Sequence, residues 1–120
     1  MMSGIVSRRQ AVLPVSFRYG GRTLSVDFVV DTGFTGELTL PVSAVTALGL
    51  RFKQQTPTSL ADDSSLLLDV HEAVILWNGE ERRVEVIATG KRPLLGTALL
   101  EDTELVMQFR EGGLVTVGGI

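Results

Sequence analysis

Phe28-Val29-Val30-Asp31-Thr32-Gly33 is the stretch on which the reading of this chain turns. An apolar run rich in β-branched residues, Val26 to Val30, delivers a carboxylate straight into a Thr-Gly turn. A half-buried carboxylate is costly unless it is paired, hydrogen-bonded or protonated. Thr32 brings a hydroxyl beside it, and Gly33 lets backbone N–H groups approach closely. That is the setting of a chemically useful carboxyl. An ordinary Asp-Thr-Gly turn at a strand end uses the same residues, so the tripeptide alone leaves both readings open.

Outward from this point the sequence alternates with period two. Leu13, Val15, Phe17 and Tyr19 alternate with Pro14, Ser16 and Arg18. Gly20-Gly21 turns the chain, and Leu24, Val26, Phe28 and Val30 take up the alternation, which predicts a β-hairpin. Leu66, Leu68, Val70, Val74 and Leu76 predict another strand. Asn78-Gly79 is a hairpin signal before Val84, Val86 and Ala88. Leu105, Met107 and Phe109 predict a late strand, which Glu111-Gly112-Gly113 turns into Leu114 to Val117. Seven or so short strands joined by Gly-rich turns make an all-β, closed or sandwiched domain. Pro41 to Gly49 predicts a short helix with Pro at its first position and Gly as its stop. Thr97 to Glu101 predicts one or two helical turns. The polar stretch from Thr56 to Ser65 reads as a solvated hairpin tip or as a mobile lid.

Composition narrows the function classes. With 120 residues, 44% hydrophobic and 21% charged, one globular domain over residues 1–120 is expected. A net charge of -3 argues against a nucleic-acid partner, which calls for a basic face. Arg8-Arg9 and Arg82-Arg83 read as isolated solvated pairs. The chain has no cysteine and one histidine, His71. Thiolate chemistry, His-rich metal sites and a Ser-His-Asp triad are therefore not expected, and no cofactor or metal is. His71 itself reads as a surface or packing residue. No apolar run is long enough to span a membrane and no secretory signal is visible, so a cytoplasmic protein is expected.

The motifs in their order resemble those of the retropepsin-like aspartic proteases, a single-domain class that includes retroviral enzymes and small bacterial relatives. Phe28 to Gly33 resembles the catalytic apolar-apolar-Asp-Thr-Gly motif, and Glu37-Leu38-Thr39-Leu40-Pro41 the strand that follows it. The polar hairpin at about 56–65 falls where the family's flap lies. Pro93-Leu94-Leu95-Gly96 resembles the late apolar-apolar-Gly element, 63 positions after Gly33 (96 − 33 = 63). The resemblance runs over about residues 10–118 and implies a closed barrel with one or two short helices, half of a dimeric enzyme.

Aspartic proteolysis needs two carboxyls about 3 Å apart sharing one proton. This chain carries one such motif, because Asp62-Asp63 and Asp69 lack the apolar strand and Gly turn of a second. A twofold-symmetric homodimer would bring two Asp31 side chains together and act on peptide or protein substrates. In that arrangement the resemblance implies Asp31 as the catalytic residue and Thr32 and Gly33 as the active-site loop. Phe34, Thr35, Ala61 and Asp62 would contact substrate, and Leu94, Leu95 and Gly96 would support the loop from beneath. The chain departs from the family at Phe34, where a small residue is usual. It also has Thr35 and Thr97 where a retroviral enzyme pairs an Asp with an Arg. The flap lacks a Gly-rich tip. A non-proteolytic peptide-binding or assembly domain on the same fold is the alternative.

Overall fold

The computed structural model describes residues 1–59 and 62–120. Among these, the strands in chain order are β1 (Met2–Ser7), β2 (Gln10–Tyr19), β3 (Arg22–Val30) and β4 (Leu38–Leu40). After helix α1 (Val42–Leu48) come β5 (Arg51–Ser59), β6 (Ser65–Trp77), β7 (Glu80–Ala88) and the two-residue β8 (Leu94–Leu95). Helix α2 (Thr97–Leu100) precedes β9 (Thr103–Met107) and β10 (Leu114–Gly119). The chain is mostly β, with ten strands where the alternation predicts about seven. No helix among the described residues is long and apolar enough to cross a membrane.

Local turn chemistry sets the hairpins. Three two-residue turns lie between the pairs Ser7–Gln10, Tyr19–Arg22 and Trp77–Glu80. Both central residues of each have positive φ: Arg8 and Arg9 (52° and 64°), Gly20 and Gly21 (53° and 82°), Asn78 and Gly79 (51° and 85°). Such turns match the twist of antiparallel strands. Gly and Asn enter this region easily, whereas each Arg costs about 1–2 kcal/mol there. Gly49 closes α1 in the same left-handed region, at φ 63°. Pro41 is the N-terminal cap of α1 rather than its first residue, because its ψ of 149° is extended.

All strands join one sheet in the order β5-β6-β7-β4-β8-β3-β2-β1-β10-β9. A further pairing of β6 with β2 closes β6, β7, β4, β8, β3 and β2 into a ring. Two joints of the ring, β3–β8 and β4–β7, are parallel. The ring encloses the main core, where Leu13, Val15, Phe17, Phe28, Leu38, Leu40, Ile75, Val86, Leu95 and Leu99 are fully buried. Phe17 and Phe28 stack with ring centroids 5.9 Å apart. Val6, Ala11 and Val115 form a smaller cluster beside it.

Several expectations change in detail. Tyr19 and Leu24, at the outer end of the β2–β3 hairpin, are exposed. In β6 the buried apolar residues are Val70, Ala73, Ile75 and Trp77; Val70 is as expected, but Ala73, Ile75 and Trp77 take the core in place of Val74 and Leu76, and Leu66 is exposed. Both faces of that strand are apolar near Trp77, so alternation could not choose between them. Phe109 lies outside β9 and is 64% exposed. The chain leaves the ladder there, as the Arg110 N–H turns back to the Gln108 carbonyl at 2.8 Å. Within 56–65, Thr56 to Ser59 and Ser65 are paired strand, with Thr56 opposite Leu68 and Ser59 opposite Ser65, and residues 62–64 lie in the turn.

Candidate active site

The Asp31 loop is built by two strands that run in parallel. Val29 and Val30 of β3 pair with Leu94 and Leu95 of β8. The register carries on past the strand end, where the Asp31 N–H donates to the Leu95 carbonyl at 2.9 Å. The loop then folds back, and the Phe34 N–H donates to the Asp31 carbonyl at 3.1 Å. Asp31 is half-buried, while Thr32, Gly33 and Thr35 are exposed. The Gly33 N–H donates to Asp31 Oδ1 at 2.9 Å. Among the described residues, nothing hydrogen-bonds Oδ2.

The late Leu-Leu-Gly element clamps the loop from beneath. The Gly96 N–H donates to the Glu37 carbonyl at 2.8 Å, and the Thr97 N–H to the Phe34 carbonyl at 2.8 Å. The Thr97 hydroxyl reaches the same Phe34 carbonyl at 3.3 Å. A Cβ on Gly96 would stand 2.7 Å from the Phe34 carbonyl oxygen and 2.5 Å from Cδ2 of its ring, and would overlap the Gly36 carbonyl oxygen. Only glycine lets the two segments approach so closely. Thr97 thus engages the loop by hydrogen bonds where the retroviral pattern would use an ion pair.

Two residues that the sequence reading placed on the strand after the motif, without a role at the site, complete this frame. Glu37 Oε1 accepts the Glu85 N–H at 2.8 Å, and its Oε2 accepts from Arg82 at 3.4 Å. Thr39, buried on β4, accepts the Leu94 N–H on its hydroxyl at 3.1 Å. Both positions follow the Asp-Thr-Gly motif closely, but their partners lie far along the chain and leave no local signal.

A cleft of about 350 Å³ opens beside Asp31. Arg9, Asp31, Thr32, Leu94, Met107 and Phe109 are among its walls. Phe34, Thr35 and Asp62 are not among them. The Phe34 ring instead lies over Gly36 and Gly96, and Asp62 sits exposed in the β5–β6 turn. Ala61 lies outside the described residues. Arg9, Met107 and Phe109 were not marked by the sequence; the one available signal was a pair of arginines occupying a whole two-residue turn. Among the described residues, Asp31 is the only carboxylate on these walls. Among the described residues no group of three or more His, Asp or Glu could hold a metal ion. A larger hollow of about 610 Å³, lined by Trp77, Arg82 and Asp102 among others, shares no residue with this cleft.

No protein-family model and no curated protein matches the chain. Among solved structures it is similar to a retropepsin-like aspartic protease from Rickettsia conorii, with 18% identity and a TM-score of 0.57. The match covers 98% of this chain and 94% of that one. At this identity the likeness is one of fold.

Proposed function

We propose that this chain is one half of a homodimeric aspartic endopeptidase whose catalytic pair is Asp31 from each of two copies. The observation that carries the reading is the state of the Asp31 carboxyl. It is half-buried at a rigid strand end, Oδ1 is held by the Gly33 N–H, and Oδ2 faces no partner among the described residues. One carboxyl in one open cleft is half of the required pair, and a twofold axis supplies the other half. One carboxylate then takes a proton from water while its carboxylic acid partner protonates the scissile carbonyl. Thr32 and Gly33 would present hydroxyl and backbone to the substrate. Thr35, Phe34, Ala61 and Asp62 would be met by a longer peptide beyond the cleft. The likeness of fold to a protease supports this reading without identifying a substrate.

Mass-spectrometric profiling of a peptide mixture, incubated with the protein and with Asp31→Asn, tests it. Cleavage by the first and not by the second is expected, together with a dimer in sedimentation. A wild-type protein that binds extended peptides at every pH from acid to neutral and cuts none would leave the peptide-binding alternative.

A further inference from the structure

We propose that the Arg8-Arg9 turn makes this cleft select peptides with an acidic side chain close to the segment lying at Asp31. The inference rests on the reading that a peptide occupies the Asp31 cleft.

Arg9 stands in the cleft wall with Asp31 and Phe109. Arg9 and Phe109 are also shared with an adjoining hollow of about 520 Å³, whose other walls include Arg8, Arg110 and Glu111. Two hollows that share Arg9 and Phe109, the first of them at Asp31, are therefore lined by three arginines, Arg8, Arg9 and Arg110. Among the described residues, no carboxylate lies within ion-pair distance of any of them; the ion pairs present use Arg18, Lys53 and Arg82. Glu111, the one acid lining the second hollow among the described residues, is engaged otherwise: its Oε1 accepts the Arg8 backbone N–H at 2.9 Å. Arg92, on the other side, donates to the Gln10 side chain at 2.6 Å.

The backbone makes the arrangement harder to attribute to folding. A turn of this shape is made with Gly20-Gly21 and with Asn78-Gly79 elsewhere in the chain, at little strain. At the cleft two arginines hold the same left-handed conformation. Unfavourable conformations of this kind concentrate where a site needs the side chain.

Charge gives the ligand chemistry. The chain carries a net charge of -3, and a catalytic carboxyl pair adds local negative charge. An acidic peptide would be repelled from such a cleft without cations at its rim. Unpaired guanidinium forks bind carboxylates through charge-assisted, often bidentate hydrogen bonds.

The test uses matched peptides differing only by Glu or Gln at each position along the sequence. Wild-type protein should cleave the best Glu peptide with kcat/KM about tenfold above its Gln twin, the scale of one hydrogen bond to a charged group. Binding of the same pairs to Asp31→Asn, read by fluorescence anisotropy, should show the same preference without turnover. In Arg9→Gln, and in the double variant Arg8→Asn with Arg9→Gly, the Glu-to-Gln ratio should fall to about one. The double variant should also melt at a higher temperature than wild type. No Glu preference in wild type, or one that survives both replacements, overturns the inference. A Glu preference in binding with no cleavage at all upholds it and removes the proteolytic reading instead.

Discussion

Asp31 and Asp62 head turns of the same local design. In each, the carboxylate Oδ1 accepts the N–H of the residue two positions on, Gly33 at 2.9 Å and Ser64 at 3.1 Å. This is the short polar turn that Asp makes wherever the chain allows it. The surroundings differ. Asp62 is exposed at a hairpin turn, where first the Ser64 hydroxyl and then its N–H hold the carboxyl below its ordinary value. Asp31 is half-buried, with its own N–H bonded to Leu95 and its loop clamped through Glu37, Phe34, Gly96 and Thr97. The same turn is a surface detail in one place and the floor of a cleft in the other. What separates them is contributed by residues about 60 positions away, not by the turn.

The largest test of that contrast is chemical. On the proposed reading, Asp31→Asn should lower peptide cleavage by at least about a thousandfold, as removal of a reacting group does, with the circular dichroism and sedimentation of wild type retained. If two Asp31 carboxyls share one proton, wild-type cleavage should peak at acid to weakly acid pH and fall on both sides. A rate that climbs steadily to neutral pH would break the assignment. Next comes the clamp. Gly96→Ala forces a Cβ into the Phe34 and Gly36 backbone, and should destabilise the fold by about 3 kcal/mol. A melting temperature within about 2 °C of wild type, the shift that well under 1 kcal/mol gives in a domain of this size, would mean that the clamp is slack. Thr97→Val removes only the hydroxyl bond to Phe34, so about 1 kcal/mol is expected. Its denaturant midpoint should fall between those of wild type and Gly96→Ala.

The hairpin should differ from the loop in dynamics and in pH response. β5 is exposed along most of its length and Leu66 and Leu67 lie open on β6. Few buried contacts imply low local stability. Amide exchange should therefore be faster over residues 51–59 and 65–68 than over 24–30 and 84–88, and should slow when a peptide occupies the cleft. Exchange in the hairpin that ignores such a peptide would separate it from the site. The smallest effect is at Asp62 itself. Its carboxyl is held below the ordinary value of 3.8, chiefly by Ser64. Its turn is therefore favoured above that pH and loses the contribution as pH falls through the lowered value. Lys53 behaves in the opposite sense. The Glu85 carboxylate raises its ammonium above 10.5, so that contact persists below this pH and is lost as pH rises past the raised value. Exchange of hairpin amides at pH 3 compared with pH 6 should show the first effect, and Asp62→Asn should erase it.

How much of this was legible depended on how local each signal is. Gly20-Gly21, Asn78-Gly79 and the Pro41–Gly49 bracket are read directly, because turn and cap chemistry resides in the residues themselves. The Asp31 motif and Leu94-Leu95-Gly96 could be paired through a family resemblance. No property of either segment alone predicts the parallel register that joins them. β1 was missed because Met-Ser-Gly-Ile-Val-Ser does not alternate clearly. The hairpin reading implied an apolar strand ahead of Thr56, but β5 from Arg51 to Ser59 is polar, so its extent was not legible; as an edge strand it forms by pairing with β6. β8 has only two residues, and its ladder is fixed by β3 and β4. The cleft walls Arg9, Met107 and Phe109 converge from opposite ends of the chain, where pattern within a window cannot reach.

The parallel joint between β3 and β8 also sets an order in time. Val29 finds its partner Leu94 only 65 residues later (94 − 29 = 65). The hairpins β2–β3 and β6–β7, by contrast, close over two-residue turns. Non-local pairings of this kind form after the local ones and slow folding. On a ribosome adding about 5–20 residues per second, Asp31 emerges several seconds before the segment that seats it. Through that interval the Asp31 N–H lacks its Leu95 partner and the Phe34 carbonyl its Thr97 partner, so these bonds fix the loop only once the ring of strands around it can close.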